Sequence, residues 1–264
     1  MAAGKAERSS GLAPEVIIRP LETADEMEAC VELQREAWGF SDLDLVPRRI
    51  FVVARKIGGQ VLGAMNREGG SERLVGFTLA LPGHRPGQTF WHSHMLAVAA
   101  SLRNQGLGRR LKLKQREAAL ELGLELIEWT FDPLEIINGY FNLGVLGAIA
   151  RRYHANLYGT SSSKLQAGLP TDRLTAEWWL RSPRVEAAAR GEAQPEPVYA
   201  TSVTVPSEVQ IWKQQNDARA LEAQVKVRKE LSAAFASGHA ALGYRLEPGG
   251  GTFLVGPGVP EVKA

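Results

Sequence analysis

Two histidines, His92 and His94, sit two residues apart in the run Phe90-Trp-His-Ser-His-Met-Leu-Ala-Val98. The aromatic and branched residues of that run read as a strand, and strand alternation turns both imidazoles to one face. A histidine titrates near neutral pH, so either ring is a candidate to take a proton from an amine; the bland alternative is a ring hydrogen-bonded within the sheet or open to solvent. A metal on His92-x-His94 lacks an evident third ligand nearby, and no metal is expected. Next comes Arg103-Asn104-Gln105-Gly106-Leu107-Gly108-Arg109. Glycines there let bare backbone N–H groups point into a concavity, and a helix opening at this point adds unpaired first-turn N–H groups and the positive end of its dipole. With Arg109 and Arg110 adding charge, this is a cradle for a pyrophosphate.

The elements that must position these groups are legible around them. Leu107, Leu111, Ala118 and Leu122 fall on one helical stripe, with Lys112, Arg116 and Glu121 assigned mostly to the surface, and Gly123 stops the helix. Leu124-Glu-Leu-Ile-Glu-Trp-Thr130 then returns as a strand, giving a β-α-β unit whose strands run parallel. A dinucleotide loop is the competing reading, and Glu128 stands where an acid would meet a ribose hydroxyl. Against it, Leu111 replaces the third glycine and seven residues separate Val98 from Gly106.

The Val98, Arg103, Gly106, Gly108 spacing resembles the Arg-x-x-Gly-x-Gly acyl-CoA loop of the GNAT (Gcn5-related) N-acetyltransferase superfamily, strongly over residues 90 to 130 and more faintly from about 16 to 160. The resemblance implies an α/β (α+β) fold, a mixed central sheet flanked by helices. It implies acetyl-CoA as co-substrate, with its pyrophosphate wrapped by the main chain of Arg103, Asn104, Gln105, Gly106, Leu107, Gly108 and Arg109. The pantetheine arm would pair with the backbone of Leu96, Ala97 and Val98 as an added strand. The expected activity is acyl transfer to an amine, the alternative being a GNAT-like module that binds acyl-CoA without catalysis. Many GNAT enzymes place a carboxylate on the strand of His92 and a tyrosine acid in an Asn-x-x-Ala-x-x-x-Tyr helix; this chain has no carboxylate on that strand. From Asn138, kept as a cofactor contact, the tyrosine slot falls on Val145, so Tyr140 is the one phenol available on that helix.

Composition excludes other classes. Hydrophobic content of 44% and charged content of 23% are those of an ordinary globular chain, and a net charge of +2 with interspersed signs gives no nucleic-acid footprint. One cysteine, Cys30 in a helical pattern, excludes an intrachain disulfide, and no run approaches a membrane span. No nucleic acid or membrane is expected as a partner; the partners expected are acyl-CoA and a small-molecule or protein amine, with a homodimer possible and a cytoplasmic setting. Residues 1–13 read as a disordered leader, 14–182 as the acyltransferase domain, 183–198 as a proline-interrupted linker, and 199–264 as a C-terminal helix-hairpin extension packing on the core. Within the domain, Val16 to Arg19 reads as a strand and Thr23-Ala-Asp-Glu26 as a capping box opening a helix to about Trp38; Arg48–Ala54, Val61–Met65 and Leu74–Leu81 read as strands. Arg151 to Gly159 is dense in donors and suits either an anionic acceptor or a solvated face. Asp172 and Arg173 read as an ion pair at a strand end or as acceptor contacts.

Overall fold

The computed structural model describes residues 15–68, 71–159 and 166–258; the leader expected over 1–13 lies outside them. Strands β1 (Glu15–Pro20), β2 (Gln60–Glu68), β3 (Ser71–Arg85) and β4 (Gln88–Val98) form an antiparallel meander. Helix α1 (Ala24–Trp38) opens at Thr23 with the expected capping box: the Thr23 hydroxyl accepts from Glu26 N–H while the Glu26 carboxylate accepts from Thr23 N–H. Gly39, at φ 64°, ends it.

The strand expected over Arg48–Ala54 is instead helix α2 (Arg48–Lys56). The branched run Ile50 to Val53 suggested a strand, but Pro47 fixes an extended entry and only Phe51 and Ala54, one helical turn apart, are buried. Ile50 and Val53 remain 39% and 45% exposed, so one stripe rather than one strand face meets the core.

Helix α3 (Leu107–Glu121) carries the chain from β4 to β5 (Leu126–Phe131). β4 and β5 are the parallel pair, joined at Trp91–Ile127 and His92–Glu128 and parting beyond them. A register shift in the β3–β4 ladder leaves His94 as the extra residue between Ser93 and Met95, a bulge beside the point of parting. After β5, α4 (Ile136–Gly139) widens into a π-helical turn over Tyr140–Val145.

From β6 (Ile149–His154) and β7 (Arg173–Trp179) the sheet continues through the C-terminal residues. β8 (Thr201–Pro206), β9 (His239–Glu247) and β10 (Gly250–Pro257) complete a ten-stranded sheet of order β1-β2-β3-β4-β5-β7-β6-β9-β10-β8. Within 183–198, the first eight residues form helix α5 (Pro183–Arg190), with Pro183 at its first turn and Val185, Ala187 and Ala188 buried. α6 (Val209–Gln214) and α7 (Ala218–Ala236) cover the far end, and Val227, Leu231, Tyr244 and Phe253 share one apolar cluster with Trp129 and Trp178. Residues 199–258 are therefore built into the sheet and core that hold the parting strands.

Candidate active site

The cradle forms where β4 ends. Asn104 and Gly106 turn the chain with φ of 60° and 79°, and Gly106 caps α3 while offering no side chain to its first N–H groups. Those donors stay available to an anion, and no acid stands in the first turn to compete. The arginines brace rather than reach. Arg103 Nε donates to the Val98 carbonyl at 3.1 Å, Arg109 to the Ala188 carbonyl at 2.6 Å and Arg110 to the Val16 carbonyl at 2.6 Å. The loop is thus tied to the end of β4, to α5 and to β1, so the anion contact would be made by backbone.

Between the parted strands lies a cavity of about 410 Å³. Ser93, His94, Met95 and Leu96 of β4 form one wall, Trp129, Thr130 and Phe131 of β5 the other, with Asn138, Phe141 and Asn142 over one end. Asn142 accepts from the indole of Trp129 at 3.1 Å, pinning the π-helical turn to the cleft. Trp38 at the end of α1, and Phe40, Asp44 and Val46 from the segment joining α1 and α2, line the cavity as well, together with Tyr158, Gln166 and Arg173.

Of the residues singled out from sequence, His94, Leu96 and Asn138 line this cavity. Ala97 is buried within β4 and Val98 half-buried at its end, beside the loop Arg103–Arg109. His92 stands next to the cavity, its ring 6.0 Å from that of His94. Burial first, then the nearby charges of His94 and Lys112, lower the His92 imidazole to about 4; burial lowers His94 too. Both are neutral at neutral pH and able to accept a proton. Tyr140 is 38% exposed and outside the cavity wall.

Three features depart from the sequence reading. Lys112, assigned to the surface, is 2% exposed and reaches the cavity wall. Asp172, fully buried, pairs not with Arg173 but with Arg228 of α7 at 2.7 and 2.9 Å, and accepts from the Tyr153 hydroxyl at 2.5 Å. Arg173 instead donates to Gln166 and to the Asp172 carbonyl. The donors of β6 are largely spent on buried acids, Arg151 on Glu177 and Arg152 on Glu128, which Arg85 also holds. Glu128 is therefore occupied, which removes the support for a dinucleotide ribose contact. Trp129, Asn142 and the α1–α2 segment carry no local sequence signal for this role, since only the fold brings them to one cavity.

Among the described residues no group of three His, Cys, Asp or Glu could hold a metal ion, and no helix is long and apolar enough to cross a membrane. No curated protein sequence matches the chain. Solved structures do: an acetyltransferase fold from Acinetobacter baylyi aligns with a TM-score of 0.50 at 14% identity, over 65% of this chain and 96% of its own. The ribosomal-protein-S18-alanine N-acetyltransferase from Escherichia coli aligns with a TM-score of 0.49 at 14% identity, over 70% and 100%. A GNAT family acetyltransferase from Elizabethkingia anophelis, solved with acetyl-CoA bound, aligns with 0.46 at 14%, over 62% and 97%. The Acetyltransferase (GNAT) family model matches residues 21–137, the stretch from the start of α1 to α4 that holds the parting strands and the uncapped helix.

Proposed function

We propose that this protein transfers an acetyl group from acetyl-CoA to the nitrogen of an amine, in the cytoplasm. The carrying observation is the parting of β4 and β5 around a cavity, with a helix N-terminus that has no side-chain cap placed so that its Gly108 lies against Leu96 and Phe141 of the cavity lining. Residues Gly106 to Arg109 would hold the pyrophosphate through backbone N–H groups, Leu96 to Val98 would pair with the arm through theirs, and Asn138 would meet it from α4. The acceptor would enter from the side of Trp38, Phe40, Tyr158 and Arg173. His94 at the cavity, backed by His92, would take the amine proton, since neutral imidazoles need no prior deprotonation.

The absence of a carboxylate on β4 and the placement of Tyr140 outside the cavity favour a second reading, an acyl-CoA-binding module without efficient catalysis. Titration calorimetry with CoA and with NAD tests the ligand class. Thiol release from acetyl-CoA across a panel of amines then separates enzyme from module. Tighter binding of NAD than of CoA would overturn both readings.

A further inference from the structure

Lys112 is the most unusual group in the cleft. It lies on α3, 2% exposed, and no carboxylate meets it among the described residues. Its Nζ donates to Ser93 Oγ at 3.1 Å and to Gln115 Oε1 at 2.8 Å, and stands 3.7 Å from the Trp129 ring centroid and 5.2 Å from that of Trp178. Gln115 is itself fully buried, and its Nε2 has no acceptor. Packing alone would favour Leu or Met here, because an ammonium taken from water without a counter-ion is costly. Two neutral oxygens and an aromatic face offset part of that cost and leave room for an anion.

The position of Lys112 in the cleft narrows what that anion is. Pairing of β4 with β5 stops at His92–Glu128, and Ser93, the partner of Lys112, is the next residue. At the outer end, Gly108 of the anion cradle lies against Leu96. A chain anchored by its pyrophosphate on that helix N-terminus and running inward past Leu96 and Met95 delivers its far end to Ser93, Trp129 and Lys112. We propose that Lys112 is a catalytic residue, the acid that protonates the leaving sulfur in acyl transfer; this rests on the acetyl-CoA reading above.

The acceptor nitrogen bonds to the thioester carbonyl carbon, the C–S bond breaks with its electron pair going to sulfur, and the Lys112 ammonium gives sulfur a proton. The proton lost by the acceptor nitrogen, taken up by the histidines or water, restores the ammonium. Burial lowers Lys112 well below the ordinary lysine value, which makes it a better acid near neutral pH. The other charged groups packed near it are already engaged. His92 on β4 is held neutral partly by the charge of Lys112; Glu128 on β5 and Glu177 on β7 are taken by Arg85, Arg151 and Arg152; Asp132 is taken by Lys213; and Arg116 on α3 donates to the Leu180 carbonyl.

The test reads the bound thiol directly. CoA is titrated with pH in complex with wild-type protein and with Lys112→Met, following thiolate absorbance in the ultraviolet. In the wild type the thiol is expected to ionise about one pH unit or more below its value in Lys112→Met, because the ammonium stabilises the thiolate. Equal titration in the two complexes would overturn the assignment while leaving CoA binding intact; failure of the wild type to bind CoA would overturn the acyl-CoA reading and the assignment with it. If Lys112→Met does not fold, Lys112→Arg carries the test, since a guanidinium keeps the charge but does not give up its proton. Turnover of acetyl-CoA should then fall about 10²-fold and be largely restored with the acetyl thioester of a more acidic aryl thiol, whose sulfur leaves without protonation. An equal fall with both donors would show a structural role instead.

Discussion

Replacing Gly108 should damage the ligand site while sparing the fold. A Cβ built there meets Leu96 Cδ2 and Phe141 Cζ, each at 3.8 Å, which is ordinary van der Waals contact. The residue lies in the first turn of α3, where Gly→Ala gains up to about 1 kcal/mol of helix propensity. Gly108→Ala should therefore melt at or above the wild-type temperature. The same two neighbours frame the mouth through which an anion must approach the backbone N–H groups, so a side chain there holds the pyrophosphate off. Hydrogen bonds to a charged group contribute about 1.5–3 kcal/mol each. At about 1.4 kcal/mol per tenfold, losing one weakens CoA binding about tenfold to hundredfold, with Val worse than Ala. Gly106 provides the contrast: with φ 79°, Gly106→Ala adds about 1–2 kcal/mol of backbone strain and should lower melting temperature and affinity together. Calorimetric titration and thermal melts on the four proteins decide it. Wild-type CoA affinity in Gly108→Val refutes the backbone cradle, and a lowered melting temperature in Gly108→Ala refutes the claim that the fold has room.

Replacing His92 or His94 by Ala should slow thiol release about 10²-fold if that ring takes the amine proton, and wild-type rates in both variants would pass the role to water. The His92 imidazole is lowered from 6.5 to about 4, so between those values the unfolded chain binds a proton that the folded chain refuses. Stability should fall as pH drops from about 6.5 towards about 4, and His92→Gln should flatten that slope in urea denaturation; an unchanged slope would assign it to other groups. Arg228→Met leaves the fully buried Asp172 with only neutral partners and should cost about 2–3 kcal/mol, below the range for a fully buried pair because Arg228 keeps some water contact; a loss near zero would show Tyr153 and Asn156 to be sufficient. Truncation after Val198 removes three strands and two helices from the sheet and its shared core, and should cause aggregation or a large fall in melting temperature. A soluble truncated protein that melts like the full chain would show that these residues stand alone.

What could be seen in the sequence was local. The β4-loop-α3-β5 stretch is read from residues that are neighbours in the chain: a strand-like run, a turn that needs glycine at Gly106, one apolar stripe, and a second run. The Thr23–Glu26 capping box is equally local, since both of its hydrogen bonds close within one turn. Errors arose where residue type and tertiary setting disagree. Ile50, Val52 and Val53 are branched and suggest a strand, but a short helix can bury Phe51 and Ala54 on one side and leave Ile50 and Val53 in water. Pro183 reads as a breaker when it is the natural first residue of α5. The continuity of the sheet into the C-terminal residues was invisible for a different reason: β6 meets β9 through Ala150 and Ala241, residues far apart in the chain whose small apolar side chains say nothing of a partner.

The same division explains the cavity. Its inner end could not be read from periodicity, because a helical pattern assigns each position a side by the apolar residues, and a lysine is then placed in water by default. Lys112 follows Leu111 and so sits at the edge of the buried stripe, where a long apolar stem can enter the core while the ammonium travels with it. What turns that edge position inward is the parting of β4 from β5 above it, which opens a space bounded by Ser93 and Trp129 that a closed parallel pair would not leave. The bulge at His94 is coupled to the same event, since the extra residue bends β4 as its pairing to β5 ends. The point at which the sheet stops being regular therefore brings together a histidine of β4 and a buried lysine of α3 beside one cavity, residues that lie on either side of the glycine loop in the chain and have no common motif.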